Sequence, residues 1–430
     1  MSASTIPDPA ASLAAEVGPS NTQAVARTVV AGYQTAAVAA APLAAPVPIG
    51  SGVGVKQVVI ENWNNTPYVF MINTNDELYY GHLTTTLVST LPYKAANTFS
   101  GWTFVTGAAK EITVDLGKNN NPYIYLINTN NDLYYGNLST GTAFPPNQVA
   151  FSGWNFLTGA AKDVTVGQWN GNTYIYLINT NNDLYFGNWY TTTSTTFPPV
   201  PSQTLFAGWN FITGAAKQVS VDLWRGYPYL YLINSKDELY YGNLYFAQKT
   251  LPPPIGHASF SGWNFITGAA KQVTVSQWNG NPYLYLINSN DELYYGNLSA
   301  LSSSTTIPPG TSKFSGWNFI TGAAKQVAVG QWQNNPYLYL INSNDNLYYG
   351  NLYTAQTQTG PSTFTSYTAF SGWTFLTGAA KQITGGTWQS NPYLYLINSN
   401  NDLFFSNLYT ALISTLPYKT ATAFSGWSPF

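Results

Sequence analysis

The stretch GWNFITGAAKQVTVSQWNGNPYLYLINSNDELYYGNL, residues 262–298, decides the fold, because nearly the same letters precede and follow it. Each copy opens with a Gly-Trp pair, and successive pairs lie 52 to 56 residues apart. A segment of the form Tyr-x-x-x-Ile-Asn recurs at the same spacing and also occurs seven times. The sequence is therefore read as seven repeats of about 54 residues each.

Each repeat contains four segments with the composition of β-strands. In the fifth repeat they are KQVTVSQW (271–278), PYLYLIN (282–288), ELYYGNL (292–298) and KFSGWNFI (313–320). All four are rich in Val, Ile, Tyr, Phe and Trp, and turn-forming Asn, Gly, Pro, Ser and Asp separate them. None has the 3.6-residue period of a helix, so each repeat is predicted to form four antiparallel strands.

Seven such repeats predict an all-β fold, a seven-bladed β-propeller. One blade cannot bury both of its faces, whereas a closed ring of blades can. The simplest role of the Gly-Trp tryptophans is packing between blades, and they are Trp102, Trp154, Trp209, Trp263, Trp317, Trp373 and Trp427.

Two assignments of strands to blades are open. In the preferred assignment each blade is one continuous segment of chain. The first blade then starts with an inner strand near residue 53, and the last blade ends with an outer strand at residue 430. In the other, each Gly-Trp strand belongs to the following blade and the last strand completes the first blade.

The segments WNFITGAAKQVTV and YLINSNDELY resemble the tectonin-type repeat, and the resemblance covers residues 53–430. It implies a β-propeller lectin, a multivalent and non-enzymatic binder of glycans or glycoconjugates. Equal sites on one rigid ring give avidity toward a target with repeated epitopes.

Candidate sugar-binding residues lie where the inner strand ends. Sugars present apolar C–H faces and hydroxyl pairs, which an indole face beside amide and backbone groups complements. In the fifth repeat the polar partners are Asn279 and Asn281, and the second repeat carries Leu116 in place of the tryptophan. The tryptophans in this position are Trp63, Trp169, Trp224, Trp278, Trp332 and Trp388. The alternative is that they close the edge of each blade.

A second candidate ring is formed by one lysine at the start of every inner strand. The loop before the inner strand and the turn between the second and third strands emerge on the same face of a propeller, so these lysines are expected beside the Asn-Asp-Glu turn. They are Lys56, Lys110, Lys162, Lys217, Lys271, Lys325 and Lys381. They either form ion pairs that hold the blades in register or help to bind a ligand.

No catalytic motif is present, and we expect a protein that is not an enzyme, with no cofactor and no metal. The chain has no cysteine and only two histidines, and ten of its 17 acidic residues occupy one repeated turn. A glycosidase requires a distinct pair of acids in different environments, which identical turns do not supply. The asparagine that ends each second strand, such as Asn73, is expected to bond the backbone of this turn.

The charge composition argues against two classes of partner. Charged residues are 7% of the chain and the net charge is −2, so the sequence lacks a basic surface for nucleic acid or for an anionic membrane. No run of about 20 apolar residues predicts insertion into a membrane.

Residues 1–50 are an Ala- and Pro-rich extension without repeats, and residues 51–430 are assigned to the propeller. No classical signal peptide is recognised, which leaves a cytoplasmic or a non-classically exported, cell-surface location open. The alternative function is a structural surface, appendage or particle assembly protein. It would use the propeller as a scaffold and the extension for homo-oligomer contacts.

Overall fold

The computed structural model describes residues 53–82, 102–117, 120–140, 149–151, 153–169, 171–188, 209–224, 226–244, 263–298, 317–332, 335–351, 373–388, 391–407 and 428–429. The extension assigned to residues 1–50 lies outside the described residues, and so does Trp427.

The described residues form seven antiparallel sheets, six with four strands that follow one another in the chain and one, in the second blade, with five. The first, innermost strands are β1 (Val55–Trp63), β5 (Ala109–Leu116), β10 (Ala161–Trp169), β14 (Ala216–Trp224), β18 (Ala270–Trp278), β22 (Ala324–Trp332) and β26 (Ala380–Trp388). The second strands are β2 (Thr66–Asn73), β6 (Pro122–Asn128), β11 (Asn172–Asn179), β15 (Tyr227–Asn234), β19 (Asn281–Asn288), β23 (Asn335–Asn342) and β27 (Asn391–Asn398).

The two outer strands of each sheet are shorter. The third strands are β3 (Leu78–His82), β7 (Leu133–Thr140), β12 (Leu184–Asn188), β16 (Leu239–Asn243), β20 (Leu293–Asn297), β24 (Leu347–Asn351) and β28 (Leu403–Asn407). The fourth strands are β4 (Thr103–Thr106), β9 (Asn155–Thr158), β13 (Asn210–Thr213), β17 (Asn264–Thr267), β21 (Asn318–Thr321), β25 (Thr374–Thr377) and β29 (Ser428–Pro429). In the second blade an extra strand, β8 (Val149–Phe151), pairs with the far end of β7.

The predicted seven-bladed β-propeller with four antiparallel strands per blade is confirmed. Each blade is a continuous segment of chain, since β4 pairs with β3 and β29 pairs with β28. The alternative, in which the last strand completes the first blade, is wrong. The fourth strand begins later than predicted: in the fifth blade it is Asn318–Thr321, and Trp317 precedes it.

Seven hydrophobic clusters fill the seven interfaces between neighbouring blades, including the one between the last blade and the first. In the interface of blades five and six, Tyr285 and Ile287 pack against Val327 and Val329. The Gly-Trp tryptophans of six blades contribute to these clusters, so their predicted packing role is confirmed for those six. Each large apolar side chain buried in this way stabilises the ring by about 1.5–3 kcal/mol.

The ring closes without a covalent link. Val55 N–H, at the start of the first blade, donates to Asn401 O of the seventh blade at 2.6 Å. The same bond joins each consecutive pair of blades, as between Ala324 N–H and Asp291 O at 2.7 Å. Closure therefore repeats the contact used everywhere else in the ring.

Candidate functional site: the lysine face

One face of the ring carries the seven repeated lysines, and we call it the lysine face. It consists of the seven lysines at the start of the inner strands and the seven turns between second and third strands. Lys271 is representative: its ammonium lies 2.5 Å from Asp291 Oδ1, which belongs to the turn between β19 and β20 of the same blade. The predicted proximity of the lysine position and the Asn-Asp-Glu turn is confirmed.

Every lysine of this face is the extra residue of a β-bulge. In the fifth blade Ala270 pairs with Asn288 and Gln272 pairs with Ile287, so Lys271 has no partner in the ladder. The register shifts at the equivalent point in all seven blades. A bulge turns a side chain away from the regular pleat, and here it directs seven lysines toward the turns.

The residue that accepts from the lysine differs among blades. In four blades it is an aspartate, forming the pairs Lys56–Asp76, Lys217–Asp237, Lys271–Asp291 and Lys325–Asp345. In three it is an asparagine, forming the pairs Lys110–Asn131, Lys162–Asn182 and Lys381–Asn401. The accepting residue has positive φ in every blade, between 60° and 68°. Asp and Asn tolerate this left-handed conformation better than other non-glycine residues, which explains why only these two residue types occupy this position.

The turn itself is held by the asparagine that ends the second strand. Asn288 Oδ1 accepts from the backbone N–H groups of Asn290 at 3.0 Å and Glu292 at 2.9 Å. Its Nδ2 donates to Glu292 Oε2 at 2.7 Å, and the same oxygen accepts from Tyr294 Oη at 3.0 Å. The predicted bonding of this asparagine to the turn backbone is confirmed, and the turn is rigid before any partner binds.

The ion pairs of the lysine face are partly exposed to solvent. Their side chains are between 36% and 49% exposed in the four Lys–Asp pairs. Ion pairs of this exposure contribute about 0–1 kcal/mol each to folding. The seven lysines and the ten acidic residues of the turns together make up more than half of the chain's charged residues. Their concentration on one face is not matched by a comparable gain in folding stability.

The tryptophans proposed to stack on sugars are buried at the five positions where the structure describes the side chain. Their exposed fractions are between 2% and 7%, for Trp63, Trp169, Trp224, Trp278 and Trp388. The side chain of Trp332 lies outside the described part of the chain. Sugar stacking requires an accessible indole face, and at these five positions that requirement is not met.

These tryptophans connect neighbouring blades instead. Trp169 Nε1–H donates to Gly226 O of the next blade at 2.9 Å, and Trp388 Nε1–H donates to Asn65 O of the first blade at 2.8 Å. In the fifth blade, Asn279 directly follows Trp278 and is exposed, with a φ of 50°. Asn281 donates to Asn279 O at 3.2 Å. The two asparagines thus form a turn beside a buried ring.

Sequence reasoning missed the residues that follow the lysines. Gln57 lies two residues after the start of β1, and its amide bonds the backbone of Ile112 in the next blade. The equivalent residues of the second and third blades are the acids Glu111 and Asp163. The sequence shows that these two repeats have an acid where the other five have glutamine. It does not show that the two acids contact each other, because that contact depends on how the blades pack.

Among the described residues, no group of three or more His, Cys, Asp or Glu side chains is arranged to hold a metal ion. Within the described ranges, no helix is long and apolar enough to cross a membrane.

No protein-family model and no curated protein matches the chain. The family assignment to tectonin-type repeats is therefore not supported. Among solved structures, BBS1N in complex with ARL6DN is similar, with a TM-score of 0.48, 9% identity, and coverage of 80% of this chain and 89% of that one. Prp20p from Saccharomyces cerevisiae, described with its binding properties to Gsp1p and histones, has a TM-score of 0.35 and 9% identity. The matched region covers 66% of this chain and 70% of the Prp20p chain.

The prediction of glycan partners is corrected. It depended on exposed indole faces, and the described ones are buried between blades.

Proposed function

We propose that this chain is a non-enzymatic assembly scaffold that binds other protein subunits through the lysine face. The observation that carries the proposal is the bulge that lifts one lysine out of the ladder in each of the seven blades. A bulge interrupts the sheet, and such irregularities concentrate where a side chain has to be aimed.

The charge pattern of this face suits a protein partner. Lysine ammonium groups alternate with carboxylates and amides, all partly exposed and held by turns that are already bonded. Such a face offers donors and acceptors to a mixed protein surface and has no uniform positive field for nucleic acid. Because the turns are ordered beforehand, little conformational entropy is lost on binding.

The acids that differ from the repeat do not suit catalysis. Glu111 and Asp163 are hydrogen-bonded to each other, and Glu111 is 5% exposed. The carboxyl pair of a glycosidase stands at least about 5 Å apart and faces a substrate. A mutually bonded pair, with Glu111 buried and Asp163 half-buried, satisfies neither condition, which favours the non-enzymatic proposal.

The absence of cysteine allows a direct test, because one introduced cysteine can carry a photo-crosslinker without background labelling. Asn290→Cys places the label on an exposed turn of the lysine face, next to Asp291. Asn281→Cys places it at the opposite end of the same blade. In extracts of the producing cells, we expect the Asn290 label to give discrete protein adducts and the Asn281 label to give none.

A charge-reversal variant supplies the control. Lys217→Glu, Lys271→Glu and Lys325→Glu, made together with Asn290→Cys, change three adjacent blades, and each lost pair costs at most about 1 kcal/mol. We expect the variant to keep its fold by circular dichroism and to lose the adducts. Adducts that persist after charge reversal, or that form equally from both labels, would refute the proposed binding face.

A further inference from the structure

In three blades the third residue of the inner strand bonds the backbone of the next blade, at Gln57, Gln218 and Gln326. It is glutamine in five blades, namely Gln57, Gln218, Gln272, Gln326 and Gln382. Gln57 Nε2 donates to Ile112 O at 3.1 Å, while Ile112 N–H donates to Gln57 Oε1 at 3.0 Å. Gln326 makes the same two bonds to Ile383 at 3.5 and 3.4 Å. A neutral amide serves here because it donates and accepts at once.

The interface of blades two and three replaces this amide by two acids. Glu111 and Asp163 stand in the glutamine position of consecutive inner strands and are hydrogen-bonded to each other. The backbone of Val164 also bonds to the pair. Glu111 is 5% exposed, and its Oε1 has no hydrogen-bond partner among the described residues. A carboxylate can only accept, so a bond between two carboxyl groups requires a proton on one of them.

Apolar side chains and two lysine charges surround the pair, and burial outweighs the lysines in its effect on the pKa of both carboxyls. On the paired strands, Ile127 lies opposite Glu111 and Ile178 lies opposite Asp163. The nearest cations are Lys110 and Lys162, whose ammonium groups lie 2.7 and 2.6 Å from the side-chain oxygens of Asn131 and Asn182.

The flanking inner strands carry their other acids, Glu61 and Asp222, four residues further along than the position of the pair. They carry the neutral Gln57 and Gln218 in the equivalent position, and their lysines are paired with Asp76 and Asp237.

We propose that Glu111 and Asp163 form a proton-dependent lock, which holds the interface of blades two and three while the pair keeps one proton and loosens it when both carboxyls ionise. In the ionised state two negative charges would face each other, and the one on Glu111, which is 5% exposed, would be poorly hydrated. The second interface would then open before the other six as the pH rises.

The direction of the pKa shifts agrees with this lock. Burial, followed by the charge of Asp163, raises the pKa of Glu111 well above its usual range, and burial raises the pKa of Asp163. A pKa higher in the folded than in the unfolded chain means that the folded state holds the proton more tightly. The stabilisation is complete below the ordinary glutamate pKa of 4.5 and is lost as the pH rises through the higher folded value.

The lock is tested with Glu111→Gln, which restores the residue used by five other blades. We expect equal thermal midpoints for the wild type and the variant near pH 4, and a midpoint several degrees higher for the variant at pH 9. Asp222, another buried acid, is present in both proteins, so its own titration cancels in the comparison.

Hydrogen exchange locates the opening. After correction for intrinsic base catalysis, exchange at the facing ends of β5 and β10 should rise with pH in the wild type and not in Glu111→Gln. The interface of β14 and β18, which Gln218 bridges, serves as an internal control. Asp163→Asn is the second variant and should also remove the pH dependence.

Equal pH dependence in the wild type and both variants would overturn the lock. Stabilisation of the wild type alone by millimolar Ca²⁺ at pH 9 would also overturn it, since the pair would then be a cation site.

Discussion

Asp222 occupies a position in the fourth inner strand that glycine holds in three other blades, at Gly167, Gly330 and Gly386. Its Oδ1 accepts from Leu223 N–H at 2.8 Å and from Gln277 Nε2 of the next blade at 3.2 Å. Its Oδ2 is buried and has no hydrogen-bond partner among the described residues. Burial raises the pKa of Asp222 to about 7, because the ionised form is poorly solvated there.

We expect Asp222→Asn to change the pH dependence of stability. The raised pKa means that the carboxyl contributes fully below its ordinary value of 3.8 and that this contribution is lost as the pH rises through about 7. The amide cannot ionise, so the variant should exceed the wild type at pH 9 by a few kcal/mol, on the order of 1.4 per pKa unit.

Urea unfolding at pH 5 and pH 9 measures the effect of Asp222→Asn. Ser276→Ala, at the equivalent position of the next blade, is the neutral control. A variant advantage that is the same at both pH values would contradict an ionisation effect.

At the scale of single elements, the link from one blade to the next is two residues long. Between β21 and β22 it consists of Gly322 and Ala323, and Ala323 has a φ of 56°. Five more alanines repeat this conformation at Ala108, Ala160, Ala215, Ala269 and Ala379, with φ between 54° and 58°. Ala323 O accepts from Ser343 N–H at 2.8 Å, so the link is fixed by a turn of its own blade.

Replacing Ala323 by glycine should stabilise the protein slightly. The left-handed conformation costs an alanine about 1–2 kcal/mol, and glycine avoids this cost while losing about 0.5–1 kcal/mol of extra chain entropy. We expect a gain of roughly 0.5–1 kcal/mol in the free energy of unfolding, measured in urea.

The neighbouring substitution Ala324→Gly is the matched control for the link. Ala324 is completely buried and lies in a strand, so the same change should destabilise there. Destabilisation by Ala323→Gly as well would indicate that the alanine methyl group makes a packing contribution larger than the backbone cost.

At the scale of the whole molecule, the ring is closed by the seventh blade meeting the first. Trp388 donates to Asn65 O and Val55 donates to Asn401 O across this interface, while Thr74 N–H donates to Gly54 O of its own blade at 2.8 Å. The closing interface therefore depends on the same hydrogen bonds and the same kind of cluster as the other six. Gly54 takes the place that the link alanines take in the following blades.

Gly54→Ala should weaken ring closure. A methyl group at Gly54 would lie 2.4 Å from Asn401 Cβ, too close for any real contact. The blades must shift apart, and overpacking of this kind costs about 1–3 kcal/mol. We expect a lower urea midpoint and faster exchange at β1 and β26.

Gly107→Ala is the matched control for ring closure, because a methyl group there meets no atom within 4 Å. An unchanged midpoint for Gly54→Ala would mean that the closing interface relaxes without cost and that closure does not limit stability.

The sequence alone determined the repeat number, the four strands of each blade, and the meeting of lysine and turn on one face, whereas it left the continuity of the blades open until the strand pairing showed it. These features depend on local turn chemistry and on a period that every repeat confirms, and neighbours within one blade follow from strand order.

Only the tertiary structure decided which side chains are hidden. Trp278 ends its strand beside a polar turn, so its own repeat presents it as exposed, and the next blade covers it. The pairing of Glu111 with Asp163 and the orphaned oxygen of Asp222 have the same origin. Burial between blades is a property of two repeats more than 50 residues apart, which the pattern within one repeat does not contain.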